Sequence, residues 1–198
     1  RVLFRSDFFL NDSDLFAFGR IGDISNEATS RSNDNNARPF FSRRLGLSRS
    51  GRPVDLEIGG KLSGRIGRYN IGMLAMRQDG FEDVDSSNIF VGRFSANVLD
   101  ESSVGMIVTS GDPNSNTSNL LGGVDFRYLN TRLPGGRELE ADAWYQISDT
   151  DGLDGDNAAF GLGVSMPNNT GWRGGVHYKQ IETNFNPALG FVSRTNVR

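Results

Sequence analysis

The sequence predicts an all-β protein, an antiparallel transmembrane β-barrel of the bacterial outer-membrane type, and three observations lead to that prediction. Residues 54–66 alternate between apolar and polar side chains, a period of two that is typical of a strand. This strand is longer than the five or six residues usual in a soluble sheet, and about 9 to 11 tilted residues cross a bilayer. Similar strands follow, and the connections between them alternate between short and long.

The predicted strands form a hairpin series that covers residues 39–198. They span residues 39–47, 54–66, 69–78, 89–99, 103–110, 120–129, 138–148, 158–166 and 172–182. Outer-membrane barrels join such strands by short periplasmic turns and longer external loops, and aromatic residues mark the strand ends, as Tyr69, Tyr128 and Trp172 do here. We expect the series to be an incomplete fragment of a larger barrel, truncated at the C-terminus.

The first 38 residues are predicted to lie outside the strand series. Residues 1–6, RVLFRS, match the translation of a common sequencing adapter, so we interpret them as a non-native scar. Residues 7–38 then form an opening segment and a loop. The aromatic stretch 7–18 is expected to pack on or in the barrel mouth, and the polar stretch 26–36 is expected to be a mobile loop.

The composition excludes several classes of function. A net charge of −3 and a pI near 5.2 argue against a nucleic-acid partner, because such domains normally carry a basic excess. The absence of Cys excludes disulfides, thiol catalysis and Cys-based zinc sites. No glycine-rich motif of the phosphate-binding kind opens a predicted helix, and we expect no cofactor. The expected partner is outer-membrane lipid.

Four motifs resemble one known family. They are DFFL at 7–10, FFSRRLGL at 40–47, GGKLSGRIG at 59–67 and NFNPALGFVSR at 184–194. In this order they resemble a domain-of-unknown-function family of bacterial outer-membrane proteins, whose members carry an N-terminal module similar to carbohydrate-binding module family 9 before a large β-barrel. The family's first motif commonly reads FFLEG, and here Asn11 replaces the Glu. The resemblance implies a bacterial outer-membrane location and more strands than are present here. A carbohydrate ligand is implied only through the N-terminal module, which this sequence does not include.

Charged residues on the polar side of the strands are predicted to line a lumen. They are Asp55, Glu57, Lys61, Arg65, Arg93, Asp125, Arg127, Glu138, Glu140, Asp142, Arg173, His177 and Lys179. Both signs occur, so the set is typical either of a pore that selects by charge or of cross-strand ion pairs that fix the register. We expect ion pairing.

Three further patterns could carry chemistry. The acidic stretch SDTDGLDGDN offers Asp149, Asp151, Asp154 and Asp156 as calcium ligands, although Leu153 occupies a ligand position, and a solvated external loop is the alternative. His177 could serve as the base of a hydrolase with a nucleophile such as Ser165. Glu138, Glu140 and Asp142 could imitate the carboxylates of a glycosidase, but a polar strand face gives the same pattern.

The sequence leaves three hypotheses for function. The first is a non-enzymatic outer-membrane barrel segment concerned with passage, docking or surface display of a ligand such as a carbohydrate. The second is a soluble carbohydrate- or lipid-binding β-domain, whose strands would also alternate. The third is an outer-membrane hydrolase that uses His177.

Overall fold

The computed structural model describes residues 13–19, 36–168 and 171–197, and within these ranges the chain forms one antiparallel sheet. Each strand pairs with its sequence neighbours, so the spatial order is the chain order. The strands are β1 Leu56–Ile66, β2 Tyr69–Gln78, β3 Ser87–Val98, β4 Ser102–Ser110, β5 Asn119–Leu133, β6 Arg137–Thr150, β7 Ala158–Met166 and β8 Gly174–Ile181. The predicted all-β antiparallel architecture is therefore confirmed.

The connections alternate in length as the sequence predicts. Residues 67–68, 99–101 and 134–136 form short turns at one end of the sheet, whereas 79–86, 111–118 and 151–157 form long connections at the other end. The turn 134–136 is tighter than predicted because β5 and β6 extend further. Gly135 and Gly136 make it possible, with φ of +83° and +68°, a backbone region that only glycine adopts at little cost.

The prediction of a strand at residues 39–47 is wrong. A short 3₁₀ helix, Ser42–Arg44, interrupts it, and Gly46 has a φ of +70°. Phe40 and Leu45 are both buried in the core. The segment lies across the sheet, and Arg38 pairs with Phe191 near the C-terminus in an isolated bridge. A segment that covers a sheet is buried through a few anchor side chains and does not need the period of two that a paired strand requires.

A β-bulge breaks the predicted alternation at the start of β1. Leu56 pairs with Gln78 and packs against the core, while Ile58 pairs with Arg77 and is 72% exposed. Residues that pair across antiparallel strands point to the same face, so the bulge places Leu56 on the opposite face from Ile58. The prediction that Glu57 lines the lumen is wrong. Its carboxylate pairs with Arg77 Nε at 2.7 Å, and Arg77 lies beside the exposed Ile58.

The two faces of the sheet differ in what covers them. We call the face that carries Met73, Phe94 and Val124 the outer face, and its side chains are largely exposed. We call the opposite face, which carries Leu74 and Ile107, the inner face, and these two side chains are fully buried. The core therefore lies on the inner side of a single sheet.

Chain segments from both sides of the strand series cover the inner face. Phe16 and Phe18 come from residues 13–19, Ala37, Phe40 and Leu45 from residues 36–47, and Phe185 and Leu189 from residues 185–197. They pack on the strand halves next to the long connections, where Leu74, Ile89, Leu121 and Ile181 lie. Residues 15–18 of the predicted opening segment pack on the strands, whereas its residues 7–12 and the predicted scar at 1–6 lie outside the described residues. The predicted mobile loop lies outside the described residues except for Asn36, which is buried.

Neither 3₁₀ helix in the described ranges has the length and apolar composition that a membrane-crossing helix requires.

Candidate functional site

The central part of the outer face is a continuous uncharged band, and the charged residues Arg77 and Asp149 lie beyond it, toward the long connections. Three lateral rows cross all or nearly all of the strands: Leu62, Met73, Gly92, Val108, Gly122, Ile147 and Ala158; Gly64, Ile71, Phe94, Met106, Val124, Tyr145, Phe160 and Gln180; Ile66, Tyr69, Ala96, Val104, Phe126, Ala143, Leu162 and Tyr178. These rows contain no Asp, Glu, Lys or Arg. Most of their large side chains are exposed, for example Val124 at 53% and Leu62 at 63%.

The inner face carries a buried ion pair at its centre. Arg93 Nη1 lies 2.5 Å from Asp125 Oδ1, and Arg93 Nη2 donates to Asp125 Oδ2 at 3.0 Å. The two side chains are only 7% and 10% exposed. The guanidinium crosses β4 above Gly105, where any Cβ would meet it at 2.6 Å. This bidentate pair brings together two of the predicted lumen residues and links β3 to β5.

A second polar cluster lies on the inner face toward the short turns. Arg127 Nη2 lies 3.6 Å from Glu140 Oε1, and the Ser165 hydroxyl donates to Glu140 Oε2 at 3.5 Å. Asp142 and His177 flank Gly163, where a Cβ would touch both side chains. Five residues selected from the sequence therefore come together across β5 to β8.

The arrangement of Ser165 and His177 is incomplete as a hydrolase site. Their side chains both approach Gly175, and His177 Nδ1 and Asp142 Oδ1 both lie beside Gly163. Within the described chain, however, no hydrogen bond joins Ser165 to His177, and the serine hydroxyl is directed to Glu140. A nucleophilic serine needs its proton directed at the base, so the cluster as it stands is a polar network.

The remaining predicted lumen residues are dispersed. Lys61 and Arg65 lie on the inner side of the edge strand β1, and Arg65 Nε donates to the carbonyl of Gly67 at 3.2 Å. Lys179 Nζ donates to the Asn36 carbonyl at 3.4 Å and lies 5.9 Å from the Trp144 ring. Three others lie at the ends of strands or before them: Asp55, Glu138 and Arg173.

The four aspartates of the acidic loop do not converge. Asp151 Oδ2 accepts a hydrogen bond from Ser118 N at 3.2 Å, and hydrogen bonding to Ser118 lowers the pKa of that carboxyl. Asp154 and Asp156 use their backbone carbonyls to bind Asn184, while Asp149 pairs with Leu120 of the outer face. Across the described ranges, no three His, Cys, Asp or Glu side chains are grouped so as to hold a metal ion.

The candidate site residues selected from the sequence do not include the uncharged polar residues of the inner face. Gln78, Asn119, Gln146, Ser148 and Thr150 are all buried. Most bind the covering segments: Gln78 accepts from Gly46 N at 2.9 Å, and Gln146 donates to the Ala37 carbonyl at 2.8 Å. These residues alternate with the outer-face residues along each strand, so the period of two could have identified them. The prediction selected only charged side chains at those positions.

Comparison with protein-family models finds no match, and neither curated proteins nor solved structures give a significant one. The resemblance to the outer-membrane family therefore stays a prediction.

Proposed function

We propose that the outer face contacts membrane lipid and that the sheet is the membrane-spanning wall of a bacterial outer-membrane β-barrel. The observation that carries this proposal is the set of three uncharged lateral rows across the outer face. Exposed apolar patches on soluble monomers rarely exceed a few hundred Å², because water penalises larger ones. Lipid removes that penalty, and a barrel wall normally has an apolar outside and a polar inside.

The edges of the sheet bear on how the barrel is completed. In the described chain β1 pairs only with β2, and β8 pairs with β7 and with Val197 through one bridge. In a bilayer each unsatisfied backbone N–H or C=O costs several kcal/mol, so spanning sheets are closed. We therefore infer that further strands complete the barrel between β1 and β8.

The inferred role is non-enzymatic: passage, docking or display of a ligand at the cell surface. The Arg93–Asp125 pair supports this role, because neighbouring charges of opposite sign neutralise each other and stiffen the wall instead of activating a substrate. A carbohydrate is the ligand that the family resemblance suggests.

Membrane fractionation tests the proposal directly. We expect the full-length protein to stay in the outer membrane through carbonate extraction, and an unboiled sample to change its electrophoretic mobility on heating. Release into the soluble fraction would contradict the proposal and favour a soluble carbohydrate- or lipid-binding domain. Binding to sugars and to lipid monomers would then separate those two ligands.

A hydrolase is the second candidate, because Ser165, His177 and Asp142 occur side by side on the inner face. Rotation of the Ser165 hydroxyl from Glu140 to His177 would form the required nucleophile and base pair. Hydrolysis of ester substrates by the purified protein, abolished by both Ser165→Ala and His177→Ala, would support it. Hydrolysis that survives either substitution would exclude these residues.

A further inference from the structure

Two differently held layers cover the inner face. We call residues 36–47 together with 182–197 the clasp, and residues 13–19 the plug. Backbone hydrogen bonds hold the clasp together: Arg38 N to Phe191 O at 2.9 Å, Phe191 N to Arg38 O at 2.8 Å and Phe41 N to Leu189 O at 2.9 Å. Side chains of the sheet then bind it, as Ser148 Oγ binds Asn186 N at 3.0 Å.

The plug is held mainly by aromatic packing. The Phe18 ring contacts Trp144 edge to face with centroids 6.4 Å apart, and the Phe16 ring contacts Phe40 of the clasp at 5.2 Å. For residues 15–19, one hydrogen bond within the described chain reaches the sheet, from Gly19 N to Asp125 Oδ2 at 3.2 Å. Within the described residues, the plug is therefore held by fewer hydrogen bonds than the clasp.

The sheet is shaped to receive the plug. A Cβ on Gly72 would meet the Leu15 side chain at 2.7 Å, and a Cβ on Gly123 would meet the Phe18 ring at 2.9 Å. Gly19 itself has a φ of +55°, and a Cβ there would meet Trp144 at 2.7 Å. The two strand glycines provide the space in which the plug's apolar side chains lie, and Gly19 allows the close turn over the indole.

The surface beneath the plug is unusually polar for a permanent core. Arg93 lies with its guanidinium carbon 5.5 Å from the Phe18 ring, and Asp125 is its partner. Gln146 is in the same lateral row as Gly123, and its Oε1 accepts no hydrogen bond in the described chain although it is fully buried. Burying such groups is costly, and exposure to water would relieve the cost.

We propose that the plug is displaceable and that Asp125 is its latch. Asp125 holds Gly19 in place while it neutralises Arg93, so the same carboxylate serves the wall and the plug. Displacement leaves the clasp and the sheet intact and exposes Arg93 and Asp125 to water. The interpretation that this movement opens a polar passage rests on the proposed function. The movement itself does not depend on the proposed function.

Thiol labelling measures the displacement, because the chain has no Cys of its own. Ile107→Cys places a reporter in the lateral row between Arg93 and Gly123, at a site that is 1% exposed. Ala159→Cys places a reference thiol at a site that is fully buried on β7. Each cysteine variant is reconstituted in lipid vesicles and treated with a membrane-impermeant maleimide, both alone and combined with Phe18→Ala. The Phe18→Ala substitution removes the plug ring that lies over Gly123. Phe94→Ala on the outer face is the matched control.

We expect Phe18→Ala to raise the labelling rate at the Ile107→Cys thiol at least tenfold over the rate with Phe94→Ala, and to leave the Ala159→Cys rate within twofold. Equal acceleration at both thiols would mean general destabilisation and would overturn the displaceable plug, as would no acceleration at either. Asp125→Leu, which removes both acceptor oxygens, should accelerate the Ile107→Cys thiol selectively as well. An unchanged rate in this variant would exclude Asp125 as the latch.

The same samples keep this inference separate from the proposed function. Retention of the protein by the vesicles after carbonate treatment tests the lipid-facing surface, and the ratio of the two labelling rates tests the plug. The ratio can also be measured in detergent, so a protein that leaves the vesicles contradicts the proposed function without deciding the inference on the plug.

Discussion

The outer and inner faces of this sheet differ in polarity, in packing and in whether their glycines have room for a side chain. Across the outer face, Met73, Val124 and Leu162 are half exposed and have no charged neighbours in their rows. Across the inner face, Arg93 and Asp125 are nearly inaccessible and make a bidentate ion pair beneath Phe18. The same strands therefore bury their charges and expose their apolar side chains.

The proposed function interprets this contrast as a difference in the solvent that each face meets. A water-soluble sheet that is covered on one side would place polar residues on its open side. Here the covered side contains the buried ion pair and most of the charged groups, and the three central rows of the open side contain no charge. An exposed apolar face costs free energy in water but not in a bilayer, which is why the polarity of the two faces bears on the proposed function more directly than the strand order does.

The largest expected effect comes from breaking the buried ion pair. Asp125→Leu leaves the Arg93 guanidinium buried without its partner, and we expect the free energy of unfolding to fall by about 3 to 5 kcal/mol. Urea unfolding in phospholipid vesicles measures it. Asp100→Leu is the matched control, because the Arg132–Asp100 pair is 69% and 79% exposed and such pairs contribute about 0 to 1 kcal/mol. Equal losses in the two variants would contradict the burial of the inner pair.

Introducing a charge on each face tests the contrast itself. Ala143→Arg places a guanidinium on the outer face, in the row that contains Phe126 and Leu162. Near the bilayer midplane this should cost about 2 to 4 kcal/mol. Asp142→Arg on the inner face should cost much less, since its side chain meets the polar cluster. Folding yield into vesicles and urea unfolding measure both, and equal tolerance would exclude a lipid-facing Ala143.

Adding a methyl group distinguishes the packed face from the open one. Gly161→Ala directs a Cβ at the Trp144 ring, 2.7 Å from its Cε2, so the indole must move. Overpacking of this kind typically costs about 1 to 3 kcal/mol. Gly122→Ala on the outer face meets no atom within 4 Å and serves as the control. Thermal or urea unfolding compares them, and a neutral Gly161→Ala would show that Trp144 is loosely packed.

The smallest effect concerns a turn that belongs to neither face. Glu101 accepts hydrogen bonds from Thr131 N and Thr131 Oγ1, both at 2.7 Å, and these lower the pKa of its carboxyl. The contribution to stability is complete above the ordinary carboxyl pKa and is lost as the pH falls through the lowered one. Thr131→Val removes the hydroxyl donor and keeps the backbone donor, so the pKa of Glu101 should rise part of the way.

Carboxyl-carbon NMR titration in detergent micelles follows Glu101 in both proteins. Arg132→Leu, which removes the weaker coulombic contribution, should raise the same pKa by less than Thr131→Val does. A larger rise in Arg132→Leu would contradict the assignment of the shift to hydrogen bonding.

The period of two in the sequence was enough to place most of the strands and their faces. The sequence predicts Arg93 on the polar side of β3, and its burial on the inner face, opposite the exposed rings of Phe90 and Phe94, agrees with that prediction. Local alternation succeeds here because an antiparallel sheet with consecutive pairing needs no long-range information to order its strands. Alternation gave the wrong face for Glu57, because the β-bulge between Leu56 and Ile58 reverses the faces of the residues before it. The bulge does not change the apolar and polar pattern of the sequence.

The covering of the inner face required the tertiary structure. Arg38 pairs with Phe191, and Gly19 reaches Asp125, across most of the chain. No periodic pattern in the sequence predicts such contacts, because each covering segment is held by a few isolated side chains and hydrogen bonds. The predicted lumen residues Arg93 and Asp125 could be selected by charge, but their pairing depends on the register of β3, β4 and β5 together.

The sequence by itself therefore determined the strands, their alternating connections and the apolar outer face, all of which follow from local spacing and side-chain type. The tertiary structure decided which inner residues are buried, where the ion pairs form and how the plug and clasp divide the space. The physical reason is that alternation is encoded in neighbouring residues, whereas burial and pairing depend on what distant segments bring to the same surface.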